Sequence, residues 1–252
     1  MPYVTMVRDG VTPSAIPAFN DVHHNMIVAN YAADGGCLDN DDGSAWYQIH
    51  DNACLFGGHK SDFDGHSKWS FDNLHIYANV YGDRCVEIGA QVLPLPGFPD
   101  IYANNTCVRK GERGKLRRPS GERARRAPLI AAPIPFPHLK LTRILTQVLV
   151  PNAECLDLGQ SANGFPSPGA DIASRFQWYN NTVYSTNGIN CAARGGPFST
   201  MADFVSKGYE SGPPSTFISE TPSAATMVGW IAAKLANPSE RIAAAAEKAL
   251  LS

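Results

Sequence analysis

The sequence predicts an all-β protein: a right-handed parallel β-helix, a solenoid of few coils, with an α-helical C-terminal cap. Three observations lead to this prediction. Short apolar or β-branched runs each follow an asparagine, the asparagines recur at coil-length intervals, and amphipathic helix patterns are confined to the end of the chain. The 22 glycines and 19 prolines among 252 residues indicate frequent turns.

The repeating unit is a polar residue, an asparagine and a short run that favours a strand. The asparagines stand at positions 25, 52, 73, 105 and 181. The first three steps fall within the period of about 20–50 residues that is typical of solenoids. An asparagine at a bend can adopt the left-handed conformation, and stacked copies could form a ladder of hydrogen-bonded amides. The alternative is that the same pairs are hairpin turns of a β-sandwich.

The last step, from Asn105 to Asn181, is much longer and contains a segment of different composition. Residues 108–147 hold eleven Lys and Arg and two Glu, a net charge of +9 that leaves −11 in the rest of a chain of total −2. Without this segment the step would be close to the others. Our hypothesis is a retained intron or other insertion, which sequencing of the mature transcript would test. The alternatives are a disordered loop and a nucleic-acid-binding arm over residues 109–126, the least favoured of the three.

These observations divide the chain into four parts. Residues 1–107 are expected to form β-helix coils, 108–147 a basic, disordered insertion, 148–197 the last coil or coils, and 198–252 the helical cap. A short helix near residues 198–208 would be capped by Ser199 and end at Gly208. Further helices are predicted over 222–236 and 238–251, each opening with a proline. A helix lying over the last coil would cover its unpaired strand edges.

Composition excludes some classes of protein and leaves others open. No apolar run approaches the roughly 18 residues that span a bilayer, so no membrane span is expected, and no signal peptide is visible. The six cysteines lack zinc-site spacing and could be disulfides or buried thiols. The sequons at 104–106 and 180–182 favour export weakly. We expect a monomer.

Residues 39–66 concentrate the potential chemistry, with six aspartates, three histidines and one lysine. Side chains one coil apart stack about 4.8 Å from each other, so Asp41 or Asp42 could lie beside Lys60, Asp62 and His66, which follow about one coil later. The predicted catalytic residues are Asp41, Asp42, Lys60, Asp62 and His66. The predicted substrate-binding residues are Asp39, Asp64, His50 and Trp46, with His59 as an outer member. The candidate calcium ligands are Asp39, Asp41 and Asp42.

Two reactions suit such a cluster. Elimination from a uronate needs a cation, often Ca²⁺, and a basic side chain, whereas hydrolysis of a glycoside needs paired carboxylates. The competing interpretation is that these aspartates only hold turns. An EF-hand loop is excluded, because His50 stands at the twelfth position where a glutamate is required. The aromatic side chains are expected mostly inside the solenoid; they are Trp46, Tyr47, Trp69, Tyr77 and Tyr81.

Three segments resemble a known group of proteins. HHNMIVANY at 23–31, DNDDGSAWY at 39–47 and KSDFDGH at 60–66 resemble an uncharacterised group of β-helix proteins from algae, other protists and some invertebrates. The group belongs to the pectate-lyase-like superfamily. The resemblance covers about residues 8–107 and, more loosely, 175–251, as if this chain were the C-terminal portion of a longer family domain.

What this resemblance implies is a β-helix that binds or modifies a polysaccharide, as a lyase, hydrolase or epimerase, outside the cell or at its surface. A non-catalytic structural or adhesive module is the alternative, because a shared β-helix does not fix an activity.

Overall fold

The computed structural model describes residues 13, 17–28, 37–40, 43–62, 65–78, 85–89, 94–109, 154–158 and 169–235. Within these residues the chain makes successive coils of three short strands each. The strands are β1 (Asn20–His23), β2 (Met26–Val28) and β3 (Leu38–Asn40); β4 (Ala45–His50), β5 (Ala53–Leu55) and β6 (His59–Asp62); β7 (His66–Phe71), β8 (Leu74–Ile76) and β9 (Val86–Gly89); β10 (Asp100–Ala103), β11 (Thr106–Val108) and β12 (Glu154–Asp157); and β13 (Phe176–Tyr179), β14 (Thr182–Tyr184) and β15 (Ala192–Arg194).

Equivalent strands of successive coils pair in parallel and form three sheets. Sheet A has the order β1-β4-β7-β10-β13, and sheet C has the order β15-β12-β9-β6-β3. Sheet B joins β2, β5, β8, β11 and β14 to one further strand, β16 (Thr216–Ile218). The pairings between these strands are parallel and connect each coil to the next, so the predicted parallel β-helix is confirmed and the β-sandwich alternative is wrong.

The asparagine ladder runs along the corner between sheets A and B. Asn52 Oδ1 accepts from the backbone N–H and side-chain amide of Asn25, both at 3.0 Å, and Asn73 Oδ1 accepts from the same two groups of Asn52, at 3.1 and 3.0 Å. The pattern continues through Asn105 to Asn181. The predicted ladder is therefore confirmed.

The left-handed residue of each corner is not the asparagine, as the sequence led us to expect, but the residue before it. Positive φ angles of 50–57° occur at His24, Asp51, Asp72, Asn104 and Asn180. The left-handed residue turns the chain from sheet A into sheet B, and the side chain of the following asparagine bonds to the equivalent asparagine of the next coil. One residue therefore makes the turn, and the next residue along the chain forms the ladder.

Ser215 occupies the next ladder position after Asn181. Its hydroxyl accepts from the backbone N–H of Asn181 at 3.0 Å, and β16, which follows Ser215 directly, pairs with β14. Residues 211–218 therefore begin a sixth coil, within the part of the chain assigned to the cap. The sequence repeat did not reveal this coil because a serine stands where the asparagine would be.

The long step in the repeat is confined to a single coil. Asn105 contacts Asn181 directly, and β11 pairs with β14, so all the residues between them belong to the coil that contains β12. Residues 110–153, with nearly all of the basic segment, lie outside the described residues, and the intron hypothesis stays a prediction. Arg109 is described: it is 2% exposed and its backbone N–H donates to the carbonyl of Tyr184.

Inside the coils, a large apolar cluster fills the C-terminal half of the solenoid. Tyr102, Phe176 and Trp178 are at most 2% exposed and pack with Leu156 and Val183. Two disulfides lie in the same cluster, Cys85–Cys107 and Cys155–Cys191, whereas Cys37 and Cys54 are thiols. The aromatic residues expected inside are mostly elsewhere, since Trp46, Tyr47, Trp69 and Tyr77 are only partly buried. Tyr81 lies outside the described residues.

Two short helices flank the strands of the last full coil. Helix α1 (Ala170–Ala173) precedes β13, and α2 (Met201–Ser206) follows β15. The cap of α2 is Thr200, not Ser199 as expected, because the Thr200 hydroxyl accepts from the N–H of Asp203 at 3.1 Å. Gly208, with φ of 76°, ends this helix region as predicted. Phe198, Met201, Phe204 and Tyr209 pack into the apolar cluster at the last full coil.

The C-terminal helix α3 (Ala224–Lys234) lies along the outer face of sheet B. Ser223 caps it, and Met227 and Ile231, each 1% exposed, pack on Ala53, Leu55, Leu74, Ile76 and Val108. This face is apolar, so α3 shields it from water along several coils. Residues 236–252, including the helix predicted over 238–251, lie outside the described residues. Among those that are described, no helix is long and apolar enough to cross a membrane.

Candidate functional site

Sheet C presents a column of charged residues, one from each of four successive strands. Asp39 pairs in register with Lys60, Lys60 with Glu87, and Glu87 with Asp157. The residues on either side of each point into the solenoid and are buried, for example Leu38, Val86 and Leu156. Since side chains alternate along a strand, the four charged residues share the outer face. We call Asp39, Lys60, Glu87 and Asp157 the charged column.

Lys60 is the cation of the charged column. Its Nζ lies 3.5 Å from Asp39 Oδ1, and its side chain is 6% exposed against 37% for Asp39. Lys60, Glu87 and Asp157 are all largely shielded although they face outward, with exposed fractions of 4, 8 and 8%. Lys60 and Asp39 therefore form an ion pair between neighbouring strands of sheet C.

Glu87 and Asp157 were not among the predicted site residues. They are far apart in sequence, yet they face each other on adjacent strands. One signal was present: like Lys60, Glu87 stands second in a short strand whose first and third residues point inward. The basic segment prevented the same argument for Asp157, because it separates β12 from the earlier repeats.

The other predicted residues fall into several places. Asp41, Asp42 and Asp64 lie outside the described residues, and Asp62 is the last residue of β6. Among the residues that the structure describes, no group of three or more histidine, cysteine or acidic side chains could hold a metal ion. The calcium site assigned to Asp39, Asp41 and Asp42 therefore stays a prediction.

His66 belongs to sheet A, not to the outer face of sheet C. It begins β7, is fully buried, and lies among aromatic rings, with centroid distances of 5.4 Å to Trp46 and 5.1 Å to Phe98. Burial and the nearby charge of Lys68 lower the pKa of His66. The predicted grouping of His66 with Lys60 in one constellation is thus not the arrangement found: the two residues lie on different sheets, and Trp46 accompanies His66.

His50 lies on the outer face of sheet A in a stack of rings. It is parallel to His23 at 5.2 Å and to Phe71 at 4.9 Å. Its ring nitrogens face Asp21 at 2.9 Å and Asp51 at 3.0 Å. Although burial raises the pKa of Asp51, hydrogen bonds from His50 and from Lys234 of α3 more than offset this and hold it below its usual value. These contacts attach α3 to the sheet corner.

The interior of the middle coils is polar. His59 faces inward, where its Nε2 lies 2.9 Å from Asn40 Oδ1, so it is not an outer member of a surface site. Burial, together with repulsion from His75 and Lys68, lowers the pKa of His59 to about 3. Lys68 Nζ lies 3.5 Å from Asp100 Oδ2, with both side chains at most 1% exposed. Burial raises the pKa of Asp100, and the charge of Lys68 opposes that rise.

No protein-family model, curated protein or solved structure matches the chain. The fold is therefore established by its own strand order and register. The charged column is a row of four ionisable side chains that stand in register on adjacent strands of one sheet.

Proposed function

We propose that this protein binds a polysaccharide along the outer face of sheet C and modifies it through the charged column. The observation that carries this proposal is the register of Lys60, Glu87 and Asp157 on adjacent strands. A row of fixed charges along one face suits a long, repetitive ligand, because each coil can contact a successive unit of the chain.

The paired carboxylates favour hydrolysis over elimination. Adjacent strands lie about 4.8 Å apart, close to the roughly 5–5.5 Å between the two carboxyl groups of retaining glycosidases. Glu87 and Asp157 stand on adjacent strands, and one could act as acid while the other acts as nucleophile. Lys60, one coil away from Glu87, would hold an anionic or hydroxyl group of the sugar.

The resemblance to pectate-lyase-like proteins supports the same class of ligand. Two of the resembling segments, residues 39–47 and 60–66, include strand residues that contribute Asp39 and Lys60 to the charged column. Secretion to the cell exterior or surface belongs to this proposal. The disulfides Cys85–Cys107 and Cys155–Cys191 favour such an oxidising location.

The second candidate function is a structural or adhesive module without catalysis. The Lys60–Asp39 pair favours it, because opposite charges on neighbouring strands stabilise a sheet by about 0.2–1 kcal/mol even when they bind nothing.

The test is a substrate panel with matched variants. Polygalacturonate, alginate and a neutral glucan are incubated with the wild type, with Glu87→Gln and with Asp157→Asn, and the exposed Glu220→Gln serves as the control. Release of reducing ends reports hydrolysis, and the ultraviolet absorbance of unsaturated uronate reports elimination, each with and without calcium. Affinity electrophoresis on the same polysaccharides reports binding.

We expect reducing ends from at least one polysaccharide, a loss of at least about 100-fold in both charged-column variants, and no loss in Glu220→Gln. Circular dichroism melts verify that the variants fold. Binding without cleavage, unchanged by Glu87→Gln or Asp157→Asn, would favour the adhesive module. If the protein neither binds nor cleaves any polysaccharide of the panel, both candidate functions are contradicted.

A further inference from the structure

Cys37 and Cys54 occupy the same two positions of their coils as Cys85 and Cys107, which are joined by a disulfide. The disulfide Cys85–Cys107 joins the residue before β9 to the middle residue of β11, one coil later. Cys37 is the residue before β3, and Cys54 is the middle residue of β5, also one coil later. The two pairs therefore have the same connection, separated by two coils.

Backbone register confirms that these positions are equivalent. The N–H of Cys37 donates to the carbonyl of Gly58, and the N–H of His59 donates to the carbonyl of Cys85, so Cys37 and Cys85 lie in one column beside sheet C. In sheet B, Cys54 and Cys107 both pair with His75.

The two thiols lie close to each other. Both side chains belong to one apolar cluster with Leu38 and Ile49, and Cys37 is near enough to help burial raise the pKa of the Cys54 thiol. A Cβ at position 57 would stand 2.7 Å from Cys37 Sγ, so the glycine there leaves room for the sulfur.

We propose that Cys37 and Cys54 form a third disulfide, and that this bond is the redox-sensitive one of the three. The four cysteines of the other disulfides are at most 3% exposed, whereas Cys37 is only partly buried. A thiolate reductant can therefore reach Cys37 without unfolding of the chain, and access to the sulfur is one of the factors that set the rate of thiol–disulfide exchange.

The bond forms by exchange with a small disulfide such as oxidised glutathione. The Cys37 thiolate attacks the glutathione disulfide, forms a mixed disulfide and releases one glutathione thiolate. Cys54 then loses its proton and attacks the Cys37 sulfur, which releases the second glutathione. Two cysteines lose two electrons, and one glutathione disulfide gains them. Burial and the neighbouring Cys37 raise the pKa of Cys54, which is consistent with its reacting second.

The bond would fix the edge of sheet C. Strand β3 is the last strand in the order of that sheet and holds only three residues, of which Asp39 is the second. A covalent link from Cys37 to β5 would restrain β3 against fraying. This restraint does not depend on polysaccharide binding, so it can be tested separately from the proposed function.

The decisive experiment is peptide mapping after exposure of the folded chain to oxidised glutathione. Free thiols are blocked with N-ethylmaleimide, the chain is digested without reduction, and cross-linked peptides are identified by mass spectrometry. We expect a peptide pair joined through Cys37 and Cys54, and no retained glutathione. Glutathione retained on Cys37, or maleimide on Cys37 under these conditions, would overturn the proposal.

A matched variant and a graded reduction complete the test. Cys37→Ser changes the partly exposed partner and should leave Cys54 as a thiol, with both other disulfides intact. In the wild type, increasing dithiothreitol should open Cys37–Cys54 first and speed amide hydrogen exchange at residues 38–40, while Cys37→Ser shows no such change. Opening of Cys85–Cys107 or Cys155–Cys191 at the same or lower dithiothreitol would contradict the redox-sensitive assignment.

Discussion

The asparagine ladder and the charged column both run from coil to coil, but they are built in opposite ways. The ladder repeats one residue type, and its members Asn52, Asn73 and Asn105 are at most 4% exposed. The charged column places a different residue at almost every step. Its first two members, Asp39 and Lys60, have opposite charges.

The difference follows from hydrogen-bonding capacity. An amide side chain carries both donors and acceptors, so identical copies stacked one coil apart satisfy each other. A carboxylate only accepts and an ammonium only donates, and like charges placed opposite each other in a sheet are destabilising. The ladder is therefore a structural element that the fold requires, whereas the residues of the charged column vary from coil to coil.

The largest effect is expected from removal of a central amide of the ladder. Asn73 accepts from Asn52 and donates to the carbonyl of Ile49, the hydroxyl of Ser70 and the side chain of Asn105. Asn73→Ala leaves several buried groups without a partner and should lower the free energy of unfolding by about 3 kcal/mol or more. Urea denaturation followed by circular dichroism measures this loss.

The matched control for that variant is Asn25→Ala at the open end of the ladder. The exposed Asn25 amide donates only to Asn52 Oδ1 and the carbonyl of His23 among the described residues. Its removal should cost about 1 kcal/mol, since water can replace these bonds. Equal losses in the two variants would show that burial does not set the strength of the ladder.

The next largest effect is the pH dependence of stability, which comes from ionisable side chains that are buried in their neutral form. Burial lowers the pKa of His75 to about 4 against an ordinary value of 6.5. The unfolded chain then binds a proton that the folded chain does not, so stability is full above pH 6.5 and is lost as the pH falls towards 4. His59 acts in the same direction down to about 3, whereas the raised pKa of Asp100 partly opposes the loss.

A variant without His75 isolates this contribution. Between pH 7 and pH 5, His75→Leu should lose roughly 2 kcal/mol less stability than the wild type, at about 1.4 kcal/mol per pH unit. Denaturation at both pH values measures the difference. An unchanged pH slope in His75→Leu would mean that His75 is not held neutral in the fold.

The smallest effect is expected in the charged column. Asp39→Asn removes one partner of Lys60, at a position where the Asp39 side chain is 37% exposed, and should cost about 1 kcal/mol, a loss that shrinks as salt is added. Thermal melts at low and high salt measure it. The loss in Asn73→Ala should not respond to salt, because the amides carry no charge. A large, salt-independent loss in Asp39→Asn would indicate that the pair is a structural element like the ladder.

Much of the fold could be predicted because its signal is local. The asparagine and its short run repeat within each coil, so Asn25, Asn52, Asn73, Asn105 and Asn181 mark the corners without any knowledge of what they contact. The candidate site was predicted less well. Among the described residues Lys60 meets Asp39, whereas the sequence led us to expect Asp41 or Asp42 beside it. His66 is buried in another sheet, and His59 faces inward.

The sequence by itself determined the coil repeat and the asparagine positions of the ladder, because each depends on neighbours a few residues apart. Only the tertiary structure decided which charged residues share a face and which cysteines meet. Glu87 and Asp157 become neighbours through strand register across a long connection, and Cys37 reaches Cys54 through a diagonal contact between two sheets. A one-residue change in register would turn each of these side chains to the opposite face, so composition and spacing alone could not place them.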